Sequence, residues 1–269
     1  AIEVAIDGLT ITGGNSVEDN GGGIFNSENL TLTDSTVSGN SASSDPLVSF
    51  PQGAVDGGSG GGVFNSGTLS LSNSNISGNS ASAGGGISVW YGTANITNST
   101  ISGNSIDEDT GFNDGGGMSI FGTVQLTNST ISGNSARNQG GGIYVDDTGY
   151  LIASNSTISG NSAYTGGGLY NRLSVGDANV SNSIISGNEA TRYDQVGSEI
   201  AGSITSSANN LLGNTSQVNA EAFSNFNSVY GFTPGVNDIT ATSDGSNPTA
   251  LSDILDSAGL QNNGGLTET

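Results

Sequence analysis

From its first residues to about residue 190 the chain alternates apolar and polar positions with a period of two, and no 3.6-residue helical period appears. Leu30, Leu32 and Val37 are followed by Leu69, Leu71 and Ile76, then Ala94, Ile96 and Ile101, then Val124, Leu126 and Ile131. Thr, Ser, Asn or Gln fills the places between them. Such alternation predicts strands with one buried face. Each set precedes the string Ile-Ser-Gly-Asn-Ser or a near variant, whose Asn falls at Asn40, Asn79, Asn104, Asn134, Asn161 and Asn188. Degenerate copies end at Asn15 and Asn214, and the successive gaps are 25, 39, 25, 30, 27, 27 and 26 residues. A unit of three short strands cannot bury its own apolar face, whereas stacked units share a continuous core. The pattern predicts an all-β solenoid, a parallel β-helix of about eight coils over residues 1–214, each coil adding roughly 4.8 Å.

The remaining positions fall at corners. Asp34, Asn73, Asn98, Asn128, Asn155 and Asn182 stand six residues before the marker Asn, where their side chains tolerate the left-handed backbone of a sharp turn. The marker asparagines themselves, if inward, form a hydrogen-bonded ladder along the axis. Gly-Gly-Gly plus an aliphatic residue marks a further corner, ending at Ile24, Val63, Ile87, Met118, Ile143 and Leu169, where chains pack too closely for a Cβ. Two segments, 43–59 and 105–114, are longer than their counterparts in other units and read as inserted loops. After Asn188 the repeat decays. Residues 215–269 lose the glycine triplets and gain Phe223, Phe226, Tyr230 and Phe232, which suit a C-terminal cap, with a short helix expected over Ala220–Val229.

Composition narrows the chemistry. Three Arg and no Lys stand against 24 Asp and Glu, a formal net charge of −21. Nucleic-acid binding needs clustered cations and is excluded, as is attraction to anionic membrane surfaces. With no His and no Cys, zinc sites and imidazole or thiolate catalysis are excluded. A metal here would be a hard cation held by oxygens. No run of 18 apolar residues spans a membrane.

The units resemble right-handed, single-stranded parallel β-helix repeats of the polymorphic outer-membrane-protein kind. The motifs that carry this are Gly-Gly-Gly-Ile-Phe-Asn (21–26), Gly-Gly-Gly-Val-Phe-Asn (60–65) and Gly-Gly-Gly-Leu-Tyr-Asn (166–171). The segments 209–214 and 260–269 are similar to the ends of repeats in bacterial surface proteins of the choice-of-anchor type, with Asn262 and Leu266 in place of that segment's Asp and Pro. The resemblance implies a right-handed solenoid and an extracellular, cell-surface location in a bacterium.

Candidate sites are few. Asp107, Glu108, Asp109 and Asp114 crowd one inserted loop and suit calcium; Asp146 and Asp147 form a second pair. Arg137 and Arg192 occupy equivalent corners, and an ion pair between Arg137 and the acidic loop one coil earlier is expected, with Arg172 on another strand. The strand faces hold Thr, Ser, Asn and Gln rather than the paired carboxylates a glycoside hydrolase needs. The expected function is therefore a non-enzymatic spacer or adhesive segment. Its expected partners are surface glycans, neighbouring surface proteins or other copies of the chain. The alternative is a carbohydrate-binding or polysaccharide-lyase-like β-helix using calcium and an Arg base.

Overall fold

A computed structural model describes residues 2–44, 58–106, 114–172, 177–191, 197–202, 204–213, 216–224, 235 and 237–245. Within them the chain is an all-β parallel solenoid. Every strand pairing is parallel and joins a strand to its counterpart one turn away. Each regular turn carries four strands rather than three, except the turn from Thr123 to Val145, whose third side is a single bridging residue, Ser135. The first sheet has eight strands, among them Asn29–Thr33, Thr68–Ser72, Thr93–Thr97, Thr123–Thr127 and Tyr150–Ser154. Eight strands enclose seven complete turns, one fewer than the eight coils expected by counting Asn markers. A second sheet holds the Thr-Ile-Ser strands, and a fourth holds the strands after the glycines. Between these two lies a narrow third sheet of two- and three-residue strands such as Ser80–Ala81 and Ser162–Ala163, too short to leave a period-two signature.

The core is built of like residues stacked across the strand spacing. Leu32, Leu71, Ile96, Leu126, Ala153 and Val180 pair in register, and all are buried. Ala42, Ala81, Ala136 and Ala163 line the narrow third side. The corner residues Asp34, Asn73, Asn98, Asn128, Asn155 and Asn182 all have φ of 49–51°, the left-handed backbone that lets the chain turn between the first two sheets. At the glycine corner a Cβ on Gly117 would lie 2.5 Å from the Gly142 carbonyl oxygen and 3.0 Å from Nδ2 of Asn134, so nothing larger fits.

Two polar ladders run through this core. Nδ2 of Asn40, Asn79, Asn104, Asn134 and Asn161 each donates to Oδ1 of the next asparagine at 2.9–3.0 Å. The backbone N–H of each donates to the same oxygen, and Nδ2 also donates to a carbonyl one strand back, such as Ile101 from Asn134. The second ladder is made of serines that the Asn spacing did not single out. The N–H groups of Ser35, Ser74, Ser99, Ser129 and Ser156 donate to the Oγ of the next serine, ending at Ser183. Each Oγ donates back to the carbonyl two residues earlier. Both ladders point their donors toward the C-terminal end, where the last donors need an acceptor. Glu199, fully buried, occupies the third-glycine position of its turn. Its carboxylate accepts from Nδ2 of Asn188 at 2.7 Å and from the N–H of Gly187 and Asn188. Asn210 and then Asp238 end the serine ladder in the same way.

The C-terminal region differs from the expected helix. Among the described residues a helix spans Asn219–Ala222, and Phe223–Ser224 is already a strand paired with Ile200–Ala201 in the fourth sheet; the rest of the expected helix, 225–229, and Phe226, Tyr230 and Phe232 lie outside the described residues. Ladder pairing and the packing of Phe223 on the core outweigh local helical preference. Ile239–Thr240 adds a further strand to the second sheet.

Candidate functional site

The inserted acidic loop is only partly described. Asp107, Glu108 and Asp109 lie outside the described residues, as do Arg192 and Asn214. Asp114 is buried, and its Oδ1 accepts from Nδ2 of Asn138 and the N–H of Gln139, both at 3.0 Å. Burial pushes its pKa up to about 6, against the lowering effect of these two donors and of Arg172. Among the described residues no group of three or more carboxylates stands ready to hold a metal.

Chemistry gathers instead where the fourth sheet turns into the first. One residue per turn occupies the first place after each fourth-sheet strand: Trp90, Phe121, Asp146 and Arg172. Their N–H groups donate to the carbonyls of Asn65, Val89, Ile120 and Val145 one turn back, which fixes the column. Two residues earlier on the same outward face stand Ser88, Ser119, Tyr144 and Tyr170. The Trp90 and Phe121 rings have centroids 4.2 Å apart, Phe121 and Tyr144 6.2 Å, and Tyr144 and Tyr170 stack at 5.7 Å and 11°.

The cation of this corner is Arg172. Its Nη1 lies 3.3 Å from Oδ2 of Asp146, and its Nε lies 3.7 Å from Oδ2 of Asp147. Among the described residues Arg172 pairs with the second acidic pair; the expected partners of Arg137 in the loop, Asp107, Glu108 and Asp109, lie outside the described residues. The reason is geometric: Asp146 and Arg172 share one column on adjacent turns, which their different strands and distant motifs hid in the sequence. Oδ2 of Asp146 also accepts from the Tyr144 hydroxyl at 3.1 Å. Tyr144 is fully buried, and desolvation together with Asp114 and Asp146 drives its hydroxyl well above the usual phenol range. The Tyr144 hydroxyl beside it, then Asp146 and Asp147, hold the Arg172 guanidinium still more firmly charged than usual. The corner therefore combines an apolar aromatic half with a half of alternating negative and positive groups. Three polar atoms in it have no hydrogen-bond partner: Oγ of Ser88, Oγ of Ser119 and Oδ1 of Asp147.

Sequence reasoning ranked the acidic loop first and missed the corner. Its signal was a column: one bulky or charged residue, one place beyond each Gly-Gly-Gly strand, in four successive units. No protein-family model matches this chain, and searches of curated proteins and of solved structures found no match.

Proposed function

We propose that the chain is a non-enzymatic, extracellular segment of a bacterial cell-surface protein that works as a stiff spacer or adhesive stalk. The observation that carries this reading is the pair of buried ladders, which tie each regular turn to the next by side-chain bonds in addition to the strand pairing. Cross-linked turns resist bending, as a spacer requires. The outward columns of the second sheet support it: Thr36, Thr100, Thr130 and Thr157 in one, Ser38, Ser77, Ser102, Ser132 and Ser159 in the next. They give a solvated, uncharged surface with no converging carboxylates. Its partners would be surface glycans, neighbouring surface proteins or other copies of the chain, and the charge of −21 holds such rods apart at low salt. Calcium at Asp107, Glu108, Asp109 and Asp114 would relieve that repulsion locally. It would raise the melting temperature by mass action, an effect that Asp107→Asn with Asp109→Asn should remove.

A second reading, a lyase-like carbohydrate-active β-helix, is favoured by one observation: burial raises the pKa of Asp114 to about 6, close to working pH, beside Tyr144, Asp146 and Arg172. Arg172 is a poor base, because two aspartates occupy its guanidinium. The test incubates the protein with neutral and acidic polysaccharides and reads reducing ends and unsaturated products, while protein-coated beads are scored for adhesion to bacterial cells. Adhesion without product release supports the rod. Product release that Asp114→Asn abolishes would overturn it.

A further inference from the structure

We infer that the corner formed by Trp90, Tyr91, Phe121, Tyr170, Asp147 and Arg172 is a binding surface for a neutral polysaccharide chain lying parallel to the solenoid axis. The inference rests on the adhesive reading and names the chemical class of the partner.

Tyr91 is the first support. It is an extra residue at this corner: Trp90, Tyr91 and Gly92 separate two strands where Ser66 and Gly67, or Phe121 and Gly122, suffice in neighbouring turns. Its φ is 57°, a left-handed backbone that a bulky aromatic residue adopts only at a cost. The ring gains no burial in return, for Tyr91 is 72% exposed. Among the described residues its one ring contact is with Trp90, edge to face at 5.6 Å. An inserted, strained and exposed tyrosine lowers stability without helping the fold, so its benefit lies in what it touches outside the chain.

The rest of the corner says what that is. Trp90 and Phe121 are part-exposed rings on adjacent turns, which advance by roughly 4.8 Å, and Tyr170 is a third part-exposed ring two turns beyond Phe121, past the buried Tyr144. One turn thus matches about the length of one sugar residue. The apolar faces of pyranose rings stack on aromatic rings, whose electron-rich faces attract the sugar's C–H groups. The sugar's hydroxyl edge needs donors and acceptors fixed in place. The next two turns supply them. The Arg172 and Asp147 side chains are both part-exposed, at 51% and 40%, and hold each other in place.

Charge sets the class. The chain carries −21, and Arg172 is already neutralised by Asp146 and Asp147, so a polyuronate or sulfated chain would be repelled along the rod. An apolar peptide would bury the Asp147–Arg172 pair without replacing its water. A neutral, polyhydroxylated chain satisfies both halves.

The chain has a single tryptophan, and it lies in this surface, so its emission reports binding there and nowhere else. The experiment titrates the intact chain with cellohexaose, xylohexaose, mannohexaose and laminarihexaose, and separately with hexagalacturonate, while following Trp90 fluorescence. A saturable change is expected with at least one neutral hexamer, and none with hexagalacturonate. Tyr91→Gly should weaken binding about ten-fold or more while leaving the melting temperature unchanged or higher, because glycine relieves the strained backbone. Lost binding in that variant is thus not lost folding. Phe121→Ala should weaken binding as well. No response to any neutral hexamer, a stronger response to hexagalacturonate, or equal affinity in Tyr91→Gly would each overturn the inference. Bead adhesion separates it from the broader reading. If wild type and Tyr91→Gly adhere equally well, adhesion stands and this surface falls. If the hexamers bind but the beads do not adhere, the surface stands and the adhesive role falls.

Discussion

Asn134 has four hydrogen-bonding positions and all are used. Nδ2 donates to Asn161 Oδ1 and to the Ile101 carbonyl, and Oδ1 accepts from Nδ2 and the N–H of Asn104. In Asn134→Leu the two Asn104 donors lose their acceptor inside the core, at about 1–3 kcal/mol each, and the Ile101 carbonyl loses one of its donors. A loss of about 3 kcal/mol or more in denaturant unfolding is expected; a neutral result would mean that water reaches the corner. Asp114 behaves differently, because its folded pKa of about 6 lies above its ordinary 3.8. The folded state therefore binds more protons than the unfolded chain between those values. The stability linked to this group is present below about pH 4 and is lost as pH rises through 6, a change of about 3 kcal/mol for a shift near two pH units. Asn at position 114 keeps an oxygen for Asn138 and Gln139 without the buried charge. Asp114→Asn should thus be more stable than wild type at pH 8, with the gap closing by pH 4. Parallel urea melts at the two pH values decide it, and a gap independent of pH would refute the cause.

At the scale of strands and ladders, direction matters more than composition. Every ladder bond runs from an N–H on one turn to an oxygen on the next, so unpaired donors collect at one end only. A carboxylate, which only accepts, is the group suited to that end. In Glu199→Gln an amide NH2 must face either the Gly187 N–H or Nδ2 of Asn188, placing donor against donor. The variant should lose about 1–3 kcal/mol. Amide exchange at Gly187 and Asn188 should quicken first, whereas an unchanged urea midpoint would show the carboxylate to be dispensable. The regular strands and Asn corners were legible in the sequence because period-two alternation and a fixed Gly-Asn string repeat in every unit. The serine ladder was equally repetitive, one residue past each left-handed Asn, but serine is so ordinary in strands that its column carries no contrast. Glu199 was illegible for another reason. It reaches the ladder from the glycine strand rather than from the Asn position, so no spacing from Asn188 marks it. The Asp146–Arg172 contact and the aromatic column depend likewise on which residues a turn of variable length brings side by side.

Along the described turns of this chain the two ends are unlike. At the C-terminal end, carboxylates close both ladders, and Phe223 packs on the core. At the other end the first turn has Gly14 and Leu9 in the ladder places, and their N–H groups donate to Asn40 and Ser35, where the side-chain ladders begin. That turn also leaves Ile2, Val4, Leu9, Val17 and Phe25 exposed, at 46–68%. A solenoid's stability is close to a sum of nearest-neighbour terms, so in the 269-residue chain taken by itself a turn with one neighbour and no ladder side chain is held least. Hydrogen exchange should therefore be fastest in Glu3–Asp7, Thr10–Thr12 and Asn15–Val17. Protection should step up at Asn29–Thr33 and stay high through Asp177–Ser181, because those turns can open only with their neighbours. Native-state exchange read by mass spectrometry on peptides from each turn measures this directly. Equal protection in the first and middle turns would show that burial at the open end matters less than strand pairing. Opening that starts at the C-terminal turn would mean that Glu199 and Asp238 do not hold the last donors as tightly as their geometry implies.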